Sequence, residues 1–262
     1  MPALSLFFIG TTIGSYGTLI GAGGGFLLVP VLLVLFPATE PATLTSVSLA
    51  IVALNALSGS ATYAWMRRID FSVAGVLSVA SIPATMAGAA MTSRIPRDLF
   101  EVGFGAVLLA LAAFLLWKPL DSSAAAAHAL ATAVPPAPAT GRLGLGIPLT
   151  AAVGFVAGLL GIGGSPLQVV VLTHVMHLPV HIAMPTSQFM VLLSATGGVL
   201  THAGAGHFHF GLVPFALLGA GAFIGAQMGA ALSGRVSGRG LVRLMALALL
   251  VVGGRLVFSP LL

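Results

Sequence analysis

The sequence predicts an all-α polytopic membrane protein with two homologous, inverted repeats that contain glycine-broken or re-entrant helices. Composition is the first reason: 58% of the 262 residues are hydrophobic and 6% are charged, which leaves too little polar surface for a water-soluble domain of this length. The second reason is a passage that occurs twice, since Gly21-Ala-Gly-Gly-Gly25 returns as Gly161-Ile-Gly-Gly-Ser165. Glycine-broken apolar segments at matching positions of two halves are typical of transporters.

Composition also excludes several classes of protein. The net charge is +5, and the basic residues are spread through short loops, so we expect no nucleic-acid partner. Cysteine is absent, which removes disulfides, thiolate metal ligands and cysteine nucleophiles. Residues 1–10 contain no Lys or Arg ahead of the apolar stretch, so we expect the first segment to belong to the membrane domain rather than to a signal peptide.

Five apolar segments are predicted in each half, in the same order. They cover residues 4–20, 25–36, 44–65, 72–92 and 99–117, and then residues 143–160, 165–177, 185–205, 211–232 and 239–258. A helix needs about 20 residues to cross the hydrocarbon core, so the segments that directly follow the glycines are short. They are expected to be tilted crossings, broken helices or re-entrant hairpins.

Two further landmarks indicate a duplication. Thr45-Ser46 and Thr186-Ser187 lie 141 positions apart, and residues 88–94 match residues 229–235 at the same spacing. The landmarks divide the chain into a first transmembrane repeat at residues 1–119, a linker at 120–142 and a second transmembrane repeat at 143–262. The linker is rich in alanine and proline, which is typical of a connection between domains.

The orientation depends on the number of crossings, because an odd number in each half inverts the second repeat relative to the first. One side then holds Arg67, Arg68, Lys118, Arg142, Arg235, Arg239 and Arg243, and the other holds Arg94, Arg97 and Arg255. The positive-inside rule places the linker in the cytoplasm and both termini outside. Four crossings per half would remove this inversion.

The glycine passages are predicted to bind an anion. Irregular backbone at membrane depth needs protein or a watery cavity around it, and a helix that starts after glycine offers N–H groups and the positive end of its dipole. The residues assigned here are Gly21, Gly23, Gly24, Gly25, Gly161, Gly163, Gly164 and Ser165. The alternative is that these glycines only allow helices to pack closely.

Polar side chains on the apolar segments extend the predicted substrate site. They are Thr45, Ser46, Asn55, Gln168, Thr186, Ser187 and Gln188. The simplest role of the two Thr-Ser pairs is N-capping, and an open helix start also suits an oxyanion. Helical spacing places the polar residues of each long segment on one face, which should point to the bundle interior, either to line a pathway or to join helices.

Histidines support an alternative function, a transition-metal or other cation permease. His174, His177 and His181 have the spacing of one helical face, although Pro179 should end the helix between the last two, and His202, His207 and His209 follow the next segment. Such imidazoles can bind metal or relay protons. They are absent from the first repeat, so surface or interfacial positions are the simplest explanation, and no metal site is predicted.

Enzymatic chemistry is not predicted. No carboxylate lies in the middle of an apolar segment, and neither a His-Glu-x-x-His nor a Gly-x-Ser-x-Gly motif occurs. The five acidic residues have positions typical of interfacial groups near basic partners. We therefore expect neither a catalytic residue nor a cofactor.

Residues 21–30, with Thr45-Ser46 and the echoes at 161–166 and 185–187, resemble the TauE/SafE family of sulfite and organosulfonate exporters. The resemblance covers nearly the whole chain. It implies a multi-pass permease of the cell inner membrane for small sulfur-containing anions such as sulfite or sulfoacetate. Ser165-Pro166 replaces Gly25-Phe26 in the second passage, so the two half-sites should be inequivalent.

The mechanism expected from these features is alternating access, in which the two repeats rock around a central site. The expected partners are the small anion and the lipid bilayer, and homo-oligomerisation stays open. A channel or a non-transporting scaffold is a third interpretation, which predicts no saturable flux.

Overall fold

The computed structural model describes residues 3–21, 23–117 and 140–258, except for the side chains of residues 3, 140–142, 165, 238 and 258. Regular secondary structure in these residues is entirely helical. The first half contains α1 (Ala3–Leu19), α2 (Gly25–Leu35), α3 (Pro41–Trp65), α4 (Phe71–Met91) and α5 (Arg97–Trp117). The second half contains α6 (Thr140–Leu160), α7 (Ser165–Val170), α8 (Val180–Gly204), α9 (Leu212–Ser233) and α10 (Gly238–Phe258). A π-helical stretch, Val171–Val175, continues α7.

Seven of the described helices are long and apolar enough to cross a membrane. The shorter apolar helices are Leu4–Leu19, Gly25–Leu35 and Pro166–Val175. Trp65 and Trp117, the two tryptophans of the chain, end α3 and α5 and are 86% and 82% exposed, as expected of aromatic side chains at a membrane interface. The prediction of an all-α polytopic membrane protein is confirmed.

The helix boundaries agree with the predicted segments within a few residues, and the larger differences occur at prolines. α3 begins at Pro41 and α8 at Val180, three and five residues earlier than predicted. Proline suits the first position of a helix because its N–H is not needed there. Pro185 lies inside α8, where it removes one helical hydrogen bond. The predicted linker at 120–142 lies outside the described residues, except that its last three residues belong to α6.

The main helix pairs that join the two halves are symmetric: each of these contacts between a helix of one half and a helix of the other has a counterpart between the two equivalent helices. α1 packs along α9, and its counterpart α6 packs along α4. In the same way α3 contacts α9 and α8 contacts α4, while α3 packs on α8 and α5 packs on α10. The two halves are therefore interleaved, because each one completes the helix pairs of the other.

Close approach between these helices depends on glycine. A Cβ atom at Gly88 of α4 would lie 2.0 Å from the carbonyl oxygen of Phe155, and one at Gly158 of α6 would lie 2.0 Å from that of Thr85. Gly229 of α9 meets the carbonyl oxygen of Ser15 at the same distance. For these glycines the role is helix packing, as small residues commonly provide in membrane bundles.

The long helices α3 and α8 run antiparallel. Thr45, near the start of α3, contacts His202 near the end of α8, and Asp70, just after α3, contacts Thr186 near the start of α8. We call the end of the bundle that contains the first turn of α3 and Arg97 the Arg97 end. The opposite end, where Arg68 contacts Ser233, is the Arg68 end.

The Arg97 side chain organises its end of the bundle. Its guanidinium donates to the carbonyl oxygens of Leu33, in the last turn of α2, and of Pro37 and Thr39, which follow α2. It also pairs with Glu101 at 2.7 Å. The expectation that acidic residues lie near basic partners is correct for Glu101. The carboxylate of Asp70 caps α4 by accepting from the N–H of Val73 at 3.0 Å.

Candidate functional site

Each glycine passage forms a left-handed turn that leads into a short helix. In the first glycine turn, which comprises Gly21 and residues 23–25, the φ angles of Gly21, Gly23 and Gly24 are +68°, +59° and +79°. In the second glycine turn, residues 161–164, the φ angles of the matching glycines are +70°, +71° and +100°. L-residues with a side chain avoid this region, so the same three positions require glycine in both turns. The helices α2 and α7 begin directly after the third of these glycines, at Gly25 and Ser165, as predicted.

The two turns are buried and touch each other in the core. A Cβ atom at Gly25 would lie 2.7 Å from the carbonyl oxygen of Ile162. Gly21 packs against Met184 of α8 and Gly161 packs against Thr45 of α3, so closely that a Cβ atom on either glycine would lie less than 3 Å from its neighbour. The first turn thus contacts the start of α8 at the Arg68 end, and the second contacts the start of α3 at the Arg97 end.

A buried amide cluster holds the first glycine turn. The N–H of Gly23 donates to Gln188 Oε1 at 3.0 Å, and Gln188 Nε2 donates to Thr18 Oγ1 and to Asn55 Oδ1 at 3.2 and 3.1 Å. The Thr18 hydroxyl also donates to Asn55 Oδ1 at 3.0 Å. Asn55 and Gln188 were both predicted from the sequence to belong to the site, and the structure brings them together with Gly23.

The same cluster joins four helices. Asn55 Nδ2 donates to the carbonyl oxygens of Gly14 and Ala222, at 3.1 and 3.0 Å, and the Tyr63 hydroxyl donates to the carbonyl oxygen of Thr18 at 2.8 Å. Thr18 and Tyr63 were not predicted. The position of Thr18, three residues before the glycines, was the available signal. Because the side-chain amides of Asn55 and Gln188 are fully hydrogen-bonded, this cluster is a structural support for the first glycine turn.

The second glycine turn has a smaller polar cluster. Gln168 Nε2 donates to Ser81 Oγ at 2.9 Å, and Ser81 Oγ lies 2.8 Å from Ser194 Oγ. The Gln168 amide lies directly under the turn, because a Cβ at Gly164 would be 3.3 Å from its carbon and nitrogen atoms. Gln168 was predicted from its position in the chain, whereas Ser81 of α4 was not.

This second cluster has unused hydrogen-bonding capacity. Within the described residues, four buried side-chain polar atoms have no partner, and three of them lie on α4, α6 and α7: Ser78 Oγ, Thr150 Oγ1 and Gln168 Oε1. The fourth is Ser60 Oγ on α3. A buried polar group without a partner costs about 1–3 kcal/mol. The helices around the second turn therefore offer groups that a polar ligand could satisfy.

Hydroxyls of α3 also contact the second glycine turn. Ser48 Oγ donates to the carbonyl oxygen of Gly161 at 2.8 Å, and Thr45 packs against the same glycine. Thr45 Oγ1 donates to the carbonyl oxygen of Ala42 at 3.0 Å and lies 3.4 Å from His202 Nε2. Thr45 is therefore within reach of both the predicted site and a buried imidazole.

The capping role expected for the Thr-Ser pairs is wrong. Glu40 and Pro179 precede the two helices, so both pairs lie inside them. Thr45 and Ser46 donate to carbonyl oxygens three residues earlier within α3, and Thr186 Oγ1 accepts from the N–H of Asp70 at 3.0 Å. Because the helices begin at Pro41 and Val180, before both pairs, these hydroxyls have no free helix start to cap.

The register of the repeat also differs from the Thr-Ser spacing. α3 and α8 both contain 25 residues and begin 139 positions apart, which aligns Thr45 with Met184. The contacts agree, because Met184 packs on Gly21 as Thr45 packs on Gly161. The Thr-Ser match at 141 positions is therefore two residues out of register and joins positions that are not equivalent. Gly88 and Gly229, which are also 141 positions apart, are equivalent, because they meet the carbonyl oxygens of Phe155 and Ser15 in the same way.

The other predicted residues lie in or beside these clusters. Ser46, Ser187 and Gln188 are buried, Gly163 packs against Val52 and Val191, and the side chain of Ser165 lies outside the described part of the chain. The polar faces of α3 and α8 point inward as predicted.

Among the described histidines of the alternative function, no more than a pair come together, His202 and His207. His174 packs edge-on against Phe114 at a centroid distance of 5.2 Å, and His177 follows the end of the π-helical stretch, with Pro179 before α8 as expected. No group of three or more His, Asp or Glu side chains suited to a metal ion occurs in the described residues. This arrangement does not favour the metal interpretation.

A further cavity lies away from the glycine turns. It has a volume of about 430 Å³ and opens between α2, α5 and α10, where Val31, Val34 and Val251 form its apolar wall and Arg97 and Arg255 lie at its polar end. Since it touches neither turn, it is not part of the predicted site.

The proteins that this chain resembles are described as exporters or membrane transporters. The family model described as "Sulfite exporter TauE/SafE" matches residues 6–256. The probable membrane transporter protein YunE of Bacillus subtilis (strain 168) is 28% identical over 99% of this chain and 98% of its own length. The probable membrane transporter protein YjnA of the same organism is 24% identical over 97% of this chain and 100% of its own length. No solved structure matches the chain.

Proposed function

The chain belongs to the TauE/SafE family, and on this basis we propose that it exports a small sulfur-containing anion, sulfite or an organosulfonate such as sulfoacetate. The family and the relatives are described as membrane transporters, which is the class we assign rather than an enzyme. The observation that carries the proposal is the pair of left-handed glycine turns that meet at Gly25 and Ile162 in the core.

The proposed substrate site is polar and contains no fixed cation. An anion would be bound by backbone N–H groups at the starts of α2 and α7 and by hydroxyls. The residues we assign are Gly21, Gly23, Gly24, Gly25, Thr45, Ser46, Asn55, Gly161, Gly163, Gly164, Ser165, Gln168, Thr186, Ser187 and Gln188. The unpaired hydroxyls of Ser78 on α4 and Thr150 on α6 are two further donors that we assign to the anion as it passes between these helices.

Alternating access follows from the opposite approach of the two turns. The first turn lies against Met184, on the Arg68 side of the core, at the tip of a hairpin of α1 and α2 that enters from the Arg97 end, where Leu33 contacts Arg97. The second turn lies against Thr45, on the Arg97 side. Withdrawal of one turn opens the core toward one end while the other turn keeps the opposite end closed. The interleaved packing and the antiparallel course of α3 and α8 support an inverted relation of the two halves, which this mechanism requires.

The membrane potential suffices to drive export. An inside-negative membrane lowers the free energy of an exiting monovalent anion by about 2.3 kcal/mol per 100 mV. We place the Arg68 end on the cytoplasmic side of a cell inner membrane. Arg67, Arg68 and Arg235 lie at this end, while Arg97 and Arg255 lie at the other, and the positive-inside rule assigns the more basic end to the cytoplasm.

The test separates binding from folding by using the unpaired hydroxyls. The variant Ser78→Ala/Thr150→Val removes two buried groups without partners, so it should raise the melting temperature, since the desolvation cost disappears. If these hydroxyls bind substrate, the affinity for sulfite or sulfoacetate should fall about tenfold or more, the equivalent of about 1.4 kcal/mol. The matched control is Ser60→Ala, which removes an unpaired hydroxyl on α3 and should leave affinity unchanged.

Flux into proteoliposomes completes the test. Saturable transport of radiolabelled sulfite or sulfoacetate by the purified protein, reduced in the double variant and normal in Ser60→Ala, is the expected result. If neither anion is bound or carried by the unchanged protein, the proposed function is wrong. Transport of Ni²⁺ or Zn²⁺ in its place would restore the cation alternative.

A further inference from the structure

Two histidines form a buried pair beside the second glycine turn. His202, near the end of α8, is 0% exposed, and its Nδ1 lies 3.0 Å from Nδ1 of His207 in the following loop. The loop is built to hold this pair. Gly206 turns the chain with a φ of +73°, the N–H of His207 donates to the carbonyl oxygen of His202 at 3.0 Å, and Ser46 Oγ donates to the carbonyl oxygen of His207.

Neighbouring groups fix where the protons lie. Thr45 donates its hydroxyl proton to the carbonyl oxygen of Ala42, so at the 3.4 Å contact it is His202 Nε2 that donates to Thr45 Oγ1. A neutral His202 then accepts at Nδ1, and His207 must donate from its own Nδ1. His207 Nε2 is left as an acceptor, on a half-buried side chain at the Arg97 end.

We propose that His202 is the switchable cation of the anion site and that His207 supplies its proton. A proton from water at the Arg97 end binds His207 Nε2, and the Nδ1 proton of His207 passes to His202 Nδ1. His207 is then neutral again, and His202 is an imidazolium with both nitrogens protonated, next to Thr45 and the second glycine turn. The positive charge attracts the anion, and return of the proton releases it.

The other charged groups near His202 are exposed or already engaged, and Arg94, which follows α4, is exposed. Its near surroundings are α3, α4 and the loop that follows α8, and residues 71–91 and 143–160 contain no titratable side chain. The remaining titratable groups on these elements are Glu40 and His209, which are exposed, Tyr63, which donates to Thr18, and His181, at the opposite end of α8. Arg97 is engaged by Glu101 and three carbonyl oxygens.

This inference rests on the proposed function and explains how the site can hold an anion without Lys or Arg. Binding of anion and proton must then be coupled, because each raises the affinity for the other by the same factor. A charge that exists only while the anion is bound also avoids the cost of a permanently buried cation.

The experiment counts the protons taken up when the anion binds. Isothermal titration of the detergent-solubilised protein with sulfoacetate, in buffers of different ionisation enthalpy, gives this number directly. Both acidic groups of sulfoacetate stay ionised from about pH 6 to about pH 8, so any proton taken up belongs to the protein. The unchanged protein should take up about one proton per anion, with affinity falling by up to about tenfold per pH unit.

His202→Gln should bind the anion more weakly, with no proton uptake and no dependence on pH, while His209→Gln, in the same loop but exposed, should behave like the unchanged protein. Undiminished proton uptake in His202→Gln would overturn the inference and leave the proposed function standing. Absence of sulfoacetate and sulfite binding by the unchanged protein would instead refute both.

A second variant covers the case in which His202→Gln does not fold. His207→Gln changes a half-buried side chain and interrupts the path without removing His202. Its flux in proteoliposomes should respond to a sudden pH change about a hundredfold more slowly than that of the unchanged protein, an effect comparable to the loss of one general acid–base group at the low end. An equal response would contradict the assigned path.

Discussion

Replacement of Gln188 by leucine tests the support of the first glycine turn. Gln188 is 0% exposed and makes three hydrogen bonds, with Gly23, Thr18 and Asn55. Hydrogen bonds between membrane helices average about 0.6 kcal/mol each, so their loss sums to about 2 kcal/mol. The N–H of Gly23 also stays without its partner, which adds about 1–3 kcal/mol. We expect Gln188→Leu to lower the free energy of unfolding by about 3–5 kcal/mol.

The assay is equilibrium unfolding in mixed micelles, followed by circular dichroism as denaturing detergent is added. Gln227→Leu is the matched control, because Gln227 of α9 undergoes the same change at an exposed position, where surface substitutions stay within about 0.5 kcal/mol. Equal stability of the two variants would refute the reasoning that the amide cluster holds the turn.

Three further changes test the packing. Gly88→Ala should destabilise the protein by about 1–3 kcal/mol, because its Cβ would overlap the Phe155 backbone. The control is Gly75→Ala on the same helix, which has open space and should be neutral or stabilising by up to about 1 kcal/mol. Similar melting temperatures of the two variants would contradict this prediction. Gly161→Ala places a side chain at a left-handed φ and also makes it overlap Thr45, whereas Gly206→Ala has the left-handed φ without any overlap. Gly161→Ala should therefore be the less stable variant. The reverse order of stability would count against the close approach at the second turn. Arg97→Met should lower stability by about 1–2 kcal/mol through loss of its carbonyl contacts and of the pair with Glu101, and an unchanged melting temperature would show that this cluster is not stabilising.

Much of the fold could be predicted from local features of the sequence. Apolar length and the glycines gave the ten helical segments, including the short helices α2 and α7, because left-handed turns and membrane spans are encoded by neighbouring residues. The starts of α3 and α8 were placed too late, since Pro41 and Pro185 were interpreted as parts of turns although helices accept them.

The site was predictable only in part, because its contacts join distant residues. Asn55 and Gln188 were assigned to the site as large amides in apolar segments, but nothing local indicates that both bond Thr18, 37 and 170 positions away from them. The register of the repeat failed for a similar reason: Thr-Ser occurs by chance at 141 positions, and only the contacts of Met184 and Thr45 with the two turns give 139.

The two half-sites differ in how completely their polar groups are satisfied. Around the first turn, Gln188, Thr18 and Asn55 satisfy one another, while Gln168 Oε1 under the second turn has no partner. A serine in place of glycine at position 165 led to the expectation of inequivalent half-sites. The clusters give that expectation a physical basis, since the first turn is built for rigidity and the second has capacity for a ligand.

The central claim is that the protein carries a small sulfur-containing anion, and its most direct test is counterflow in proteoliposomes. Vesicles preloaded with unlabelled sulfoacetate or sulfite are diluted into a trace of the radiolabelled anion, with protein-free vesicles as the control. Our account predicts transient, saturable accumulation of label that requires the protein and is competed by the other sulfur anion but not by Ni²⁺. Label that enters no faster than in protein-free vesicles, for both anions, would contradict it.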